Sequence, residues 1–305
     1  MINMFTLDLK FQGIPGAIAS YLLPHAHGAA LVESGPGSTI PALQAGLRQH
    51  GYTEKDITAV LLTHIHLDHA GAAGWLARQG AQIYVHPLGA PHLLNPEKLL
   101  NSARRVYGDQ MEPLWGEFLS VPEERLTVVE DNDVIEIDGI HLRAVETPGH
   151  ASHHHVYISD STCFSGDVCA IRLAGMHYLS VPMVPPEFIL EQWRESLRRL
   201  QAEFARGSFS QLAPTHFGLF PDPAWHLAAL SKTLDEVEAW MTTIMPSNPG
   251  ESELMQAYLS WIGEVMQDEG IPEELLAAYQ IVNPPFISVA GIQRYWKKFR
   301  TPVEG

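Results

Sequence analysis

"TAVLLTHIHLDHAG", residues 58–71, changes character at its midpoint. Residues 58–62 are small, β-branched or aliphatic, the composition of a buried strand ending near Thr63. His64, His66, Asp68 and His69 then follow in the pattern H-x-H-x-D-H. Imidazole and carboxylate together suit Zn²⁺, and also Fe or Mn. In extended chain alternate side chains share a side, so His64, His66 and Asp68 can point together. His69 then swings round as the chain turns into "AGAAGWLARQG". That geometry divides the four side chains between two neighbouring ions.

Four ligands in so short a stretch cannot enclose two ions, so others must come from elsewhere. Three later segments offer one each. "ETPGH" places His150 after a Pro-Gly turn, "CFSGDV" places Asp167 at a strand end, and "LAPTHFG" places His216 after an apolar run. Such edge loops are where α/β proteins build sites.

T-H-x-H-x-D-H-x-G, T-P-G-H, S-G-D and a late T-H, in that order, resemble the metallo-β-lactamase-fold hydrolase superfamily, in particular its glyoxalase II-like and lactonase-like members. The resemblance covers roughly residues 15–220. It implies an α/β fold, a four-layer αβ/βα sandwich with a dinuclear metal site at one edge. Carried over motif by motif, His64, His66 and His150 hold the first ion, Asp68, His69 and His216 the second, and Asp167 bridges them. Two divalent ions are then the cofactors, zinc first, with iron or manganese as alternatives. The implied activity is hydrolysis of a small ester, thioester or lactone by a metal-bridging hydroxide, with Asp68 orienting it and handling its proton.

The pattern departs from particular branches. β-Lactamases proper lack the bridging Asp167. The nucleic-acid-cleaving β-CASP branch needs a large insertion, and only about fifty residues separate Asp167 from His216. The basic C-terminal signature of glyoxalase II is not apparent. Quorum-quenching lactonases carry Tyr three residues after the bridging Asp, where this chain has Ala170. Tyr178, in "MHYLSVP", is a candidate for an equivalent catalytic hydroxyl. Many relatives carry Asp-x-Gly where this chain has Glu33 in "ESGPG", which weakens that residue's expected support of the metal histidines. Three other readings stand beside hydrolysis of a small acyl compound: a phosphodiesterase on nucleotides or nucleic acid, a mononuclear iron persulfide dioxygenase using His64, His150 and Asp167, and a non-enzymatic sensor.

The chain holds sixteen histidines, so most need a bland explanation. His154 reads as support or substrate contact. His153 and His155 alternate to the opposite side and are expected to be solvated. His25, His27, His50, His86, His92, His141 and His226 are expected to be incidental. Residues 91–118, between two metal motifs, do not read as a strand and suggest a helical lid or pocket wall. Arg104, Arg105 and Tyr107 on it are candidates to meet an anionic substrate group.

Length and composition suit a soluble globular protein with a sizeable core, one large domain or a domain plus an extension. The chain has 305 residues, 46% hydrophobic and 18% charged, with net charge −16 and a pI near 5.4. That balance argues against a nucleic-acid partner and favours a small-molecule substrate. Cys163 and Cys169 read as reduced core thiols. No apolar run approaches the ~20 residues of a membrane span, and the N-terminus has no signal-peptide pattern, so a cytoplasmic location and no membrane partner are expected.

Residues 1–222 alternate strand-like and helix-like stretches. Strands are expected at 17–23, 28–34, 58–64, 81–86, 141–147, 154–160 and 162–167, with helices from Ser38 to Gly51 and from Pro186 to Gly207. From 223 to 305 the period is helical, with stripes at Leu227, Leu230, Leu234, Val237 and Met241 and at Leu254, Tyr258 and Ile262. Asn248-Pro249 reads as the N-cap and first residue of one helix. This C-terminal all-helical extension is expected to pack on the body, on a second subunit, or on both, which makes a homo-oligomer one expectation.

Overall fold

Period-two alternation along the strands sorts their side chains into separate cores, and those cores define the layers. In the computed structural model, which describes residues 3–301, the chain opens with β1 (Phe5–Asp8), β2 (Ala19–His25), β3 (Gly28–Val32), α1 (Ile40–Gln49) and β4 (Ile57–Leu61). It continues through α2 (Leu67–Ala70), α3 (Ala73–Gln79), β5 (Gln82–Val85), α4 (Ala90–Leu94), α5 (Glu97–Tyr107), α6 (Met111–Trp115) and β6 (Leu126–Val128). These strands pair in the order β1-β2-β3-β4-β5-β6, antiparallel up to β3 and parallel beyond it.

The second sheet comes from β7 (Val134–Ile137), β8 (Ile140–Glu146), β9 (His155–Ser159), β10 (Thr162–Phe164) and, after α7 (Leu190–Ala205), β11 (Gln211–Leu212). Its order is β11-β10-β9-β8-β7. Then follow α8 (Pro223–Ile244), α9 (Glu251–Asp268), α10 (Glu273–Val282) and α11 (Pro285–Tyr295).

Tyr21 and Leu23 of β2, Ala30 and Val32 of β3, and Leu61 of β4 meet Leu142, Ala144, Tyr157 and Phe164 of the second sheet in one core between the sheets. Their sequence neighbours face outward. Leu22, Leu31 and Val60 pack under Leu43 and Leu47 of α1 and Leu76 of α3. Val145, Val156 and Cys163 pack under Trp193, Leu197 and Leu200 of α7 and Leu230 and Leu234 of α8. Helices, sheet, sheet, helices: this is the four-layer αβ/βα sandwich, with a C-terminal helical region.

The expected strands are all present, with ends shifted by a few residues. β4 stops at Leu61 rather than near Thr63. β1, β6, β7 and β11 were not expected. Each is two to four residues long, and β7 alternates exposed and buried residues along its length. The N-cap expected at Asn248 is corrected. Asn248 has φ 51° and closes the turn Met245–Ser247. A left-handed residue cannot supply the extended backbone an N-cap needs, so α9 starts later, with Gly250 before it.

The C-terminal helices share the core over the second sheet. Val237 and Met241 of α8, Leu254 and Tyr258 of α9, and Val289, Ile292 and Tyr295 of α11 lie in it with Trp193. α11 comes so close that a Cβ on Gly291 would stand 1.9 Å from the Met183 carbonyl oxygen. Among the described residues no single helix is long and apolar enough to cross a membrane. Cys163 and Cys169 are free and buried.

His226 is structural rather than incidental. It is fully buried, with Nε2 donating to the Cys169 carbonyl at 2.7 Å and Nδ1 facing Arg172. Burial pushes its pKa down to about 4, so the folded state holds the neutral ring. Unfolded chains take up a proton from about pH 6.5 downward, and this contribution to stability is full above that pH and lost as pH falls toward 4.

Two stability measurements follow. Gly291→Ala must displace α11 from backbone, and a loss of about 1–3 kcal/mol is expected in urea unfolding. His226→Gln keeps a donor for Cys169 and does not titrate. The stability gap between wild type and this variant should shrink between pH 7 and pH 4.

Candidate metal centre

Loops that follow β4, β8, β10 and β11 bring the ligand-type residues together, and each loop has its own local reason for its shape. After β4 the chain reaches His66 in extended backbone, at φ −60° and ψ 156°. Leu67 then opens α2, so Asp68 and His69 lie in its single turn. Helical geometry, not strand alternation, therefore sets Asp68 apart from His64 and His66. Before His150, Gly149 has φ +133° and a Cβ there would sit 2.3 Å from Trp193 backbone. Before Asp167, Gly166 has φ +50° and lies where a Cβ would strike the Thr63 hydroxyl and the His154 ring. Only glycine meets both demands.

The imidazoles are held from behind. His150 Nδ1 donates to the Pro182 carbonyl at 2.9 Å, and His216 Nδ1 to the Ala17 carbonyl at 2.8 Å. His64 Nδ1 lies 3.0 Å from the Thr63 hydroxyl, which itself donates to Glu33 Oε1 at 2.5 Å. His69 Nδ1 lies 3.2 Å from the same Glu33 oxygen. Fixing one nitrogen of a ring leaves the other aimed inward, the usual arrangement around a metal.

The inward atoms fall into two groups that share a carboxylate. His64 Nε2 and His150 Nε2 approach His66 Nδ1 at 2.9 and 3.0 Å. On the other side Asp68 Oδ2 lies 3.4 Å from His216 Nε2 and 3.7 Å from His69 Nε2. Asp167 faces both groups, with Oδ2 3.5 Å from His150 Nε2 and Oδ1 3.4 and 3.6 Å from His69 and His216 Nε2. The triads His64–His66–His150 and Asp68–His69–His216 each present ligand atoms within 4.8 Å of one another.

The charges are set by burial and by these neighbours. Burial, then nearby imidazoles, holds His64 and His66 well below the usual histidine range. Burial also opposes charge on His69, yet Asp167, Asp68 and Glu33 together raise it. Asp167 is driven well down despite its burial, chiefly by His69 and His216. His69 Nε2, His216 Nε2 and Asp167 Oδ1 are buried without a hydrogen-bond partner. Buried polar atoms in folded proteins are mostly paired, so a donor set of this composition, with three orphaned atoms facing one another, fits divalent cations.

The surrounding residues divide. His154 is fully buried behind Asp167, with its Nε2 accepting from the Asp167 amide at 3.3 Å and Nδ1 bonded to Thr147 at 2.8 Å. His153 and His155 are not solvated. β9 lies inside the second sheet and is covered on both faces, so alternation gives it no wet side. His153 borders the cluster, pushed by burial to about 4. His155 packs on His86 with ring centroids 4.5 Å apart. Glu33 keeps the supporting position that its identity put in doubt, reaching Thr63, His69 and Thr215.

Above the cluster opens a cavity of about 660 Å³. Residues 91–118 form α4, α5 and α6 and wall one side, and residues 280–287, around the α10–α11 corner, wall another. Tyr107 faces it, but Arg104 and Arg105 do not line it. They are exposed, and Arg104 bonds Asn101. Tyr178 is also turned away. It packs edge-on against Tyr279, 5.0 Å between centroids, and lines a different cavity with Trp225 and Trp261. Residues Phe11, Trp115, Lys98 and Phe286 also line the main cavity and had no signal in the sequence.

Residues 13–203 match the profile of the metallo-beta-lactamase superfamily. The chain belongs to this superfamily. It is 30% identical over 144 residues to the metallo-beta-lactamase fold-containing protein ST1585 of Sulfurisphaera tokodaii, covering 46% of this chain and 54% of that one. The chain thus spans about half the length of that relative. It is 28% identical over 222 residues to the hydroxyacylglutathione hydrolase of Xanthomonas campestris pv. campestris, covering 70% of this chain and 69% of that one. Among solved structures, a metallo-beta-lactamase family protein, TTHA1429, from Thermus thermophilus superposes with a TM-score of 0.65. It covers 96% of this chain and 93% of its own at 20% identity, which speaks for the fold.

Glu33 generates a test of how the metallo-β-lactamase fold holds this cluster. Glu33→Gln keeps the side chain's shape and removes its charge from His69 and Thr63. Affinity for added Zn²⁺, read by competition with a chromophoric chelator, should fall about 10–100-fold, with the far-UV circular dichroism spectrum unchanged.

Proposed function

We propose that this chain is a metal-dependent hydrolase of a small carboxylic ester, thioester or lactone, with residues 1–222 as the catalytic unit and 223–305 as an extension that helps to wall the site. The observation that carries the reading is the pair of buried donor sets joined by Asp167 at the floor of a cavity. His64, His66 and His150 would hold one divalent ion and Asp68, His69 and His216 a second, with Asp167 between them. Zinc suits this donor set best, and iron or manganese also fit it. Bound there, such ions supply an activated water and polarise a carbonyl oxygen.

The chain's own residues orient and exclude. Hydrogen bonds to Thr63, Pro182 and Ala17 orient His64, His150 and His216, leaving the free nitrogen of each toward the floor. Asp68 is the most accessible carboxylate of the cluster, its side chain 18% exposed against 6% for Asp167. It is therefore placed to accept the proton of the attacking water. In the overall step water adds to the acyl carbon, the C–S or C–O bond breaks, and the departing thiol or alcohol takes up the proton. Tyr178 has no part in this step.

Two features support small acyl compounds over phosphodiesters. The cavity lining carries one lysine, Lys98, and no arginine among the described residues, a poor match to a phosphate backbone. The resemblance to a hydroxyacylglutathione hydrolase points to acyl transfer to water.

The proposal is tested by metal analysis coupled to a panel of thioester, lactone, β-lactam and phosphodiester substrates. About two ions per chain and turnover of an acyl substrate are expected. One iron per chain with persulfide oxidation would overturn the reading. Asp167→Ala and His66→Ala should each lose activity by several orders of magnitude while keeping the native circular dichroism spectrum. Wild-type turnover in either would also refute it.

A further inference from the structure

The walls above the metal ligands have a chemistry of their own. Four aromatic rings run along one side in mutual contact. Phe11 stacks on Trp115 at 5.4 Å, Trp115 meets Tyr107 at 5.1 Å, and Tyr107 meets Phe286 at 6.1 Å between centroids. The row thus crosses from the N-terminal loop through α5 and α6 to the start of α11. Burial pushes the Tyr107 hydroxyl up, and the Asp68 carboxylate does so further, which ties this wall electrostatically to the cluster.

At the mouth the apolar surface continues outward. Val106, Ile281 and Phe286 line the cavity and are 38%, 37% and 43% exposed. Isolated exposed apolar residues need no explanation, but three that line the same cavity above the ligand cluster point to a binding surface. The group is continuous with a floor of polar ligands. The volume of about 660 Å³ lies within the ~300–1,000 Å³ of sites that enclose a drug-sized ligand. A small polar acyl group would leave most of this surface wet, and among the described residues the lining offers one lysine, Lys98, and no arginine to a charged one.

We infer that the site takes substrates with a large apolar acyl group, an alkyl or aryl chain several carbons long laid along the Phe11–Trp115–Tyr107–Phe286 row with its carbonyl at the metal cluster. This inference rests on the hydrolase reading and names the substrate class within it. Phe286 and Ile281, from the α10–α11 corner, are the specificity-determining residues at the outer end. The C-terminal helices therefore contribute selectivity, although every metal-ligand candidate lies before them.

The test is a series of S-acyl-N-acetylcysteamine thioesters from acetyl to decanoyl, assayed on metal-loaded protein. Each added CH₂ should raise kcat/KM about fourfold until the cavity is filled. Phe286→Ala and Ile281→Asn, both at partly exposed positions that leave the core intact, should flatten that slope. Titration calorimetry with decanamide and acetamide supplies a second readout. Decanamide should bind both wild-type and Asp167→Ala protein, and acetamide neither. A flat or falling chain-length profile, or the absence of decanamide binding, overturns the inference while leaving the hydrolase reading intact. Failure to cleave any thioester, carboxylic ester or lactone with metal bound overturns the hydrolase reading instead, and decanamide binding then still decides whether the cavity accepts an alkyl chain.

Discussion

Asp167 is the constraint around which the centre is arranged. Its carboxylate is buried, yet faces His69, His150 and His216 from three directions. A buried carboxylate is strongly unfavourable unless it is paired, and here the pairing involves residues from loops that follow β4, β8 and β11. Its amide is fixed by His154, and Gly166 gives it the approach. Removing this one side chain would leave five imidazoles crowded together with no charge between the two groups. The sheets can meet in many ways through apolar contact, but only a close match of loop positions satisfies this carboxylate.

The same demand explains which parts of the site were legible in the sequence. Ligands must be chemically specific residues at turn-bearing strand ends, so His64, His66, Asp68, His69, His150, Asp167 and His216 stand out, and the structure brings all seven together. Their supports do not stand out, because several are backbone carbonyls. Pro182 and Ala17 hold His150 and His216 with atoms that every residue owns. His153 and His155 failed for a related reason. Alternation predicts sides, but whether a side is wet depends on what covers it, and here His86 covers His155 while His64 and His66 cover His153, contacts made by segments distant in sequence. Arg104, Arg105 and Tyr178 were singled out for their chemistry, and chemistry does not report the direction in which a helix or loop faces. The fold was legible because long strands repeat their pattern. Among the missed strands β6 and β11 have only three and two residues to carry a pattern, whereas β7 does alternate and was legible.

The C-terminal helices read as an addition and turn out to be part of the wall. Their apolar stripes fill the layer over the second sheet, continuous with α7. α11 is seated against Met183 through Gly291, and the segment it touches, residues 182–187, borders the cavity together with residues 280–287. Packing of the tail and the shape of the pocket are thus one mechanical problem. The loop carrying His216 is clamped from the same side. Arg172 exchanges backbone hydrogen bonds with the 216–217 segment and pairs with Asp222, just before α8.

Apolar walls and a charged floor are not independent features. Electrostatic interactions strengthen as water is excluded. A row of aromatic rings over Asp68 and Asp167 therefore sharpens every attraction within the cluster, including any to a polarised carbonyl. The same rings favour whatever covers them best from solvent. An apolar acyl chain would complete the enclosure that the protein leaves open at Val106, Ile281 and Phe286. On this view recognition and reactivity are coupled through solvent: the group that fills the wall also dries the floor, and a substrate too small to fill it leaves the cluster hydrated and its field weak.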